Sequence, residues 1–144
     1  MKIYIKNTVH GLYPLYPEDH EKKAKLKIGE SYLVEIKKAR NIDFHRKYFA
    51  LINCAWEYQS EKRQGFFKND KTNFRKTIEV SSGYCDTIFN LKLRSWIDIP
   101  KSVSFDKMDE YAFGKLYESV RNVIFQTLIE GVSEKEFMEN LMNF

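Results

Sequence analysis

The stretch RNIDFHRKYFALINCAW, residues 40–56, places Phe44, Tyr48, Leu51, Ile52, Ala55 and Trp56 at i, i+4, i+7, i+8, i+11 and i+12. That spacing gathers six apolar side chains on one face of an α-helix, not on the alternating face of a strand. It predicts a helix over about 43–60, roughly 27 Å long at 1.5 Å per residue. A face this wide must be covered, so the other elements have to pack around it. Asp43 is placed to cap the helix, its carboxylate accepting from the backbone N–H of His45 or Arg46.

The helix start carries a tension. His45, Arg46 and Lys47 stand at the positive end of the helix macrodipole, which favours anions. The cost is only about 0.3–1 kcal/mol, so three solvated cations are one reading. A phosphate held jointly by the free N–H groups and by Arg40, Arg46 and Lys47 is the other.

Elsewhere the elements are shorter. Ile3 and Ile5 alternate with Lys2, Tyr4 and Lys6 as in a half-buried strand, and the Gly- and Pro-containing run 8–17 reads as irregular or edge structure. Pro17, Glu18 and Asp19 open a short helix over 17–26. In 30–39 Tyr32, Val34 and Ile36 alternate with Leu33, Glu35 and Lys37, the clearest strand pattern in the chain. Residues 61–71 read as a basic, Gly-containing loop. A helix over 71–81 follows, capped by Asp70 or Thr72, with Phe74 and Ile78 inward and Gly83 as its stop. Residues 84–100 hold two strand-like stretches with Asn90 at a candidate turn and Ile88 and Trp96 as expected core. The longest helix is expected over 109–130, capped by Asp109 and stopped by Gly131. Ser133 and Glu136 form a capping box for a last helix with Phe137 and Leu141 inward. The pattern predicts an α+β fold, a small mixed or antiparallel sheet with about four to five helices, in one domain spanning 1–144.

The net charge of +4 is small, but it is polarised. Residues 37–76 hold eleven basic and four acidic side chains, and residues 105–144 hold four basic and eight acidic. This asymmetry suits a polyanion-binding face, or two segments that neutralise each other across a fold or a dimer contact. No apolar run is long enough for a transmembrane helix, and the N-terminus lacks the features of a secretory signal. Cys54 and Cys85 sit in apolar surroundings, where buried free thiols are expected, as in a cytoplasmic protein.

Catalytic chemistry finds little support. His10, His20 and His45 have no metal-site spacing among themselves or with the cysteines. No Gly-rich phosphate loop and no nucleophile elbow occurs. Glu110, Glu118, Glu134 and Glu136 read as caps and solvated faces. No cofactor or metal is expected. A metal-dependent nuclease built from distant carboxylates stays open as a third reading, tested by incubating DNA with a divalent cation.

The second basic run, KRQGFFKNDKTNFRK, interleaves Lys62, Arg63, Lys68, Lys71 and Arg75 with Phe66, Phe67 and Phe74. Cations for the backbone and aromatic rings for the bases are what a single-strand binder needs. Phe74 shares the face of Ile78 and reads as core. Phe66 and Phe67 read either as stacking groups or as a lid folded onto the core.

The runs ARNIDFHRKYFALINCAW and KSVSFDKMDEYAFGKLYESV resemble a family of uncharacterised phage and prophage proteins, over most of the chain. A more distant likeness is to the lambdoid NinB (Orf) recombination proteins, carried by Arg46-Lys47-Tyr48-Phe49-Ala50 with Arg40 before it. This sequence departs from that pattern in having Phe44-His45 where NinB-type chains have Gln-Asn, and in a shorter spacing back to Arg40. The likeness implies a dimer that binds single-stranded DNA and assists a recombinase in a bacterial cytoplasm. The expected function is thus a non-catalytic DNA-binding accessory of recombination or replication. Arg40, His45, Arg46 and Lys47 would hold phosphate, and Lys62, Arg63, Phe66, Phe67, Lys68, Lys71 and Arg75 would extend the track. The alternative is a protein-interaction module, an inhibitor or adaptor of a host protein, whose contact surface or dimer seam is the acidic C-terminal helices.

Overall fold

The computed structural model describes residues 1–37 and 41–144. The chain divides into two units, Met1–Ala39 and Arg40–Phe144. Its architecture is α+β, with six α-helices and two separate two-stranded antiparallel sheets among the described residues.

In the first unit, strand β1 (Ile5–Thr8) pairs with β2 (Gly11–Pro14), Thr8 opposite Gly11 and Ile5 opposite Pro14. Gly11 adopts a φ of 122°, a conformation that side chains disfavour. The Thr8 hydroxyl locks the turn, donating to the Gly11 carbonyl and accepting from the His10 N–H. Helix α1 (Pro17–Ala24) starts on proline, with Glu18 and Asp19 in its first turn. Asp19 is buried and accepts from Lys22 Nζ at 3.2 Å.

Residues 31–37 overturn an expectation. The alternation there predicts a strand, yet the segment is irregular and Leu33, Val34 and Ile36 are exposed. Residues 38 and 39 of the expected strand lie outside the described residues. Alternation marks side chains fit for a sheet but supplies no neighbour to take up the backbone N–H and C=O groups. No strand pairs with this segment among the described residues.

The second unit is organised around helix α2 (Ile42–Glu57). Tyr48, Leu51, Ile52 and Ala55 are fully buried, and Trp56 nearly so. Short helix α3 (Glu61–Phe66) follows, where the sequence suggests only a loop. Ser60 caps it, its hydroxyl accepting from the Arg63 N–H at 3.2 Å. Helix α4 (Lys71–Ser81) starts at Asp70, which accepts from the Thr72 N–H at 2.8 Å. Helix α5 (Glu110–Val123) is capped by Asp109, which accepts from the Ala112 N–H at 2.7 Å. The expected long helix widens after Val123 into a π-helical turn, Ile124–Leu128, and Gly131 follows at a φ of 71°. Helix α6 (Glu134–Leu141) begins at the Ser133 cap. Helices α4, α5 and α6 all pack against α2.

The core they enclose is rich in aromatic rings. Phe44 stacks on Phe113 with centroids 4.3 Å apart, Trp56 meets Phe74 edge-on at 5.2 Å, and Phe125 meets Phe137 edge-on at 5.0 Å. Such pairs add about 0.5–1.5 kcal/mol each beyond the area they bury. Cys54 is a free thiol within this core, where burial pushes its pKa up to about 11. Cys85 is free and half-buried.

Strands β3 (Cys85–Asn90) and β4 (Ser95–Pro100) form the hairpin expected over 84–100. Asn90 ends β3, and its side-chain oxygen accepts from the Leu93 N–H at 2.9 Å, closing a four-residue loop in which Arg94 has a φ of 51°. The expectation that Ile88 and Trp96 are core residues is overturned, since both are exposed. Among the described residues, no hydrophobic side chain of β3 or β4 belongs to the buried core or packs against it; β4 lies against α4, and Tyr84 and Val103 at the base of the ribbon make the hydrophobic contact with the core.

The helix caps carry part of the stability of the second unit. Asp109→Ala should cost about 1 kcal/mol, within the 0.5–2 kcal/mol range of such caps. Urea unfolding should show this as a lower midpoint at an unchanged slope.

Candidate nucleic-acid interface

Arg40 lies outside the described residues. The helix start beside it differs from expectation. Asn41, not Asp43, holds the cap position, with a left-handed φ of 52°, and no side chain among the described residues caps α2. The Asn41 amide reaches across to the segment before α5 instead, donating to the carbonyl oxygens of Phe105 at 2.6 Å and Met108 at 2.8 Å. Asp43 sits exposed in the first turn, where its charge alone offsets the cations.

His45 is 8% exposed, with its ring stacked on Phe49 at 4.5 Å and edge-on to Phe105 at 5.6 Å. It is therefore part of the wall of the core. At roughly 100° per residue, Arg46 points away from the buried face of α2 and is exposed. Lys47 is exposed on the α5 flank, its ammonium 4.8 Å from the Tyr117 ring centroid.

Two expected phosphate ligands are tied into the fold. Arg75 Nη1 donates to Glu79 Oε1 at 2.7 Å, and the guanidinium lies 5.6 Å from the Phe49 ring. Glu79 is fully buried, and the same oxygen accepts from the Tyr48 hydroxyl at 2.7 Å. A buried carboxylate survives only with such partners. Arg63 reaches the end of the π-helical turn, where Nη1 donates to the Leu128 carbonyl at 3.0 Å and Nη2 to Glu130 at 2.8 Å. Gln59 donates to the same carbonyl at 3.1 Å. Arg63 thus caps a helix C-terminus with a cation, as the dipole favours.

The corner between α3 and α4 holds the freer groups. Lys62, Lys68 and Lys71 are exposed. Lys68 and Asn69 both take left-handed backbone conformations, at φ 59° and 52°, which turns the chain sharply from α3 into α4. The two adjacent phenylalanines divide their roles. Phe67 is buried against Phe74 at 5.1 Å, and Phe66 stands 79% exposed, edge-on to Phe67 at 5.1 Å. Phe67 is therefore a core residue, and Phe66 alone of the pair is free to stack.

These groups do not form one strip. Tyr48 meets Glu79 and Trp56 meets Phe74, so α2 and α4 run antiparallel. Arg46 and Lys47 consequently lie at one end of α2, and Lys68 and Lys71 at the other. The helix between them is about 24 Å long. No sequence signal distinguished the tied arginines from the free lysines, although Arg75 and Glu79 do stand at a helical i, i+4 spacing. Among the described residues no three His, Cys, Asp or Glu side chains gather as a metal site, and no helix is long and apolar enough to cross a membrane.

The architecture places the protein in the α+β class. A family model described as a protein of unknown function, DUF1367, matches residues 2–71 and 59–143, and the chain belongs to that family. No curated protein and no solved structure gives a significant match.

The Tyr48–Glu79 bond has a measurable signature. Burial, and then the negative charge of Glu79, raise the Tyr48 pKa far above its usual value near 10. Tyr84 and Tyr117 are raised as well, chiefly by burial. Each is an acid that ionises more readily when unfolded, so its contribution is intact below pH 10 and is lost as pH rises above it. Tyr48 alone should take away about 1.4 kcal/mol per pH unit in that window. Tyr48→Phe should lower stability at neutral pH by about 1.5–3 kcal/mol, the worth of a hydrogen bond to a charged group. It should also flatten the alkaline loss, which urea titrations on both sides of pH 10 would measure.

Proposed function

We propose that this protein is a non-catalytic nucleic-acid-binding protein that prefers single-stranded DNA. One observation carries the reading. An exposed aromatic ring, Phe66, is braced by a buried one and stands among Lys62, Lys68 and Lys71. A ring held at its edge keeps its faces open to a base, and the ammonium groups attract the adjoining phosphates. Arg46, Lys47 and the uncapped start of α2 form a secondary phosphate contact beyond that corner. Arg63, Arg75, His45 and Phe67 support the scaffold and leave the binding surface to the others.

The wider role rests on resemblance. The likeness to phage and prophage proteins, and the more distant one to the NinB (Orf) proteins, supports a phage-encoded accessory of recombination or replication, working in the cytoplasm of a bacterial host. A host or phage recombination protein is then its natural companion. The second reading, a protein-interaction module without nucleic-acid binding, is favoured by a different feature, the apolar surface of the β3–β4 hairpin.

Fluorescence anisotropy with a labelled single-stranded oligonucleotide tests the first reading. Three to five neutralised phosphates predict a log–log salt slope of about −2 to −3.5. Replacing Lys62, Lys68 and Lys71 by glutamate should abolish binding, and Phe66→Ala should weaken it by about 5- to 150-fold. Absence of binding at low salt, or binding indifferent to both changes, would reject the proposal.

A further inference from the structure

We infer that the apex of the β3–β4 hairpin is a surface anchor that dips into an anionic lipid bilayer. The loop at the far end of the ribbon runs Leu91-Lys92-Leu93-Arg94, two aliphatic side chains alternating with two cations. All four are exposed, Leu91 at 83% and Leu93 at 68%. The Asn90 side chain holds the loop in shape by accepting from the Leu93 N–H at 2.9 Å. On the second rung from the loop, Phe89 and Trp96 meet across the strands with rings 5.5 Å apart, and Trp96 is 69% exposed. A bilayer suits each of these groups. Leucines at a protruding end enter beneath the headgroups, and the ammonium and guanidinium stay with the lipid phosphates on their long stems. An indole, with an apolar body and one N–H, settles at the interface between the two.

The occupant follows from the order of charges along the ribbon. Residues 87–97 contain Lys92 and Arg94 and no carboxylate. The acids are set back toward the base. Asp98, on the Trp96 face, is level with Thr87, about 10 Å from the rung that carries the loop at 3.3 Å per residue. Asp86 lies one rung further back on the other face, with Lys101 at 4.0 Å. The far end is thus cationic and apolar. A bilayer meets a protruding hairpin end-on, so its phosphates reach Lys92 and Arg94 while Asp86 and Asp98 stay in water. A duplex groove encloses an arm along its flanks, which would bring phosphates against both acids. Leucine side chains also offer no ring face to an unpaired base. A protein partner needs a pocket matched to this convex end, whereas lipid chains rearrange around it. The anchor uses none of the residues proposed for nucleic-acid binding.

Vesicle flotation and tryptophan emission test it. The protein should float with vesicles of phosphatidylcholine and phosphatidylglycerol about tenfold more tightly than with phosphatidylcholine alone, and added salt should weaken the binding. Leu91→Ser with Leu93→Ser should weaken flotation about tenfold or more. Lys92→Glu with Arg94→Glu should weaken it about thirtyfold or more. These side chains are exposed, so the urea midpoint should not move. Phe66→Ala, which removes the stacking ring of the nucleic-acid surface, should float like the wild type. Trp56 is buried, so a change in emission reports on Trp96. That emission should shift to the blue on anionic vesicles, and Trp96→Phe should remove the shift. No flotation with anionic vesicles at low salt would overturn the inference. So would flotation indifferent to both loop double substitutions, or a loop that engages duplex DNA or a protein and ignores vesicles.

Discussion

The second unit depends on covering one face of α2. Tyr48, Leu51, Ile52 and Ala55 leave no apolar surface on that side, and three helices converge to cover it. The same requirement explains the buried charge. Tyr48 carries a hydroxyl into the core, and Glu79 accepts from it across the α2–α4 contact. Arg75, one turn before Glu79 on α4, then supplies the balancing positive charge. A helix pair that could slide along its apolar ridges is pinned at one register by this hydrogen-bonded set. The pinning determines that α2 and α4 lie antiparallel with Tyr48 level with Glu79, and therefore which cations end up at which end.

The division of labour between arginine and lysine follows from side-chain chemistry. Arg63 and Arg75 each use the planar guanidinium to serve more than one partner, Arg63 a carbonyl and a carboxylate, Arg75 a carboxylate and an aromatic ring. Lys62, Lys68 and Lys71 stay exposed instead, since a strongly hydrated ammonium gains little from such fixed contacts. The basic character of residues 37–76 thus counts two kinds of charge. One kind is structural, neutralised inside the fold, and the other remains available to a ligand. The acidic C-terminal segment accounts for part of that neutralisation, because Arg63 pairs with Glu130.

Local signals were legible in the sequence and long-range ones were not. The apolar stripe of α2, the caps at Asp70, Asp109 and Ser133, and the β3–β4 hairpin all depend on residues within a few positions of one another. The Ser60 cap was local too, but Gly65 and the surrounding charge made residues 61–66 resemble a loop. The cap of α2 was misplaced because Asn41 is drawn away by carbonyl groups more than sixty residues distant. Of the candidate site, the residue types were readable but their fates were not. Phe66 and Phe67 are neighbours in sequence, and only the direction in which α3 packs buries one and frees the other.

The strand patterns show where a single chain falls short. A helix satisfies its backbone hydrogen bonds within its own segment, so apolar periodicity at 3.6 residues is nearly sufficient to place one. A strand leaves half of that bonding to a neighbour, and a two-stranded ribbon still presents two open edges and two faces. Among the described residues, 31–37 have the alternation of a strand without a pairing neighbour, and β3–β4 has pairing while most of its apolar side chains stay exposed. Ile88, Phe89, Leu91, Leu93, Trp96 and Ile99 on one ribbon exceed what solvent-facing strands usually carry, because burying each would release water that its exposure now orders.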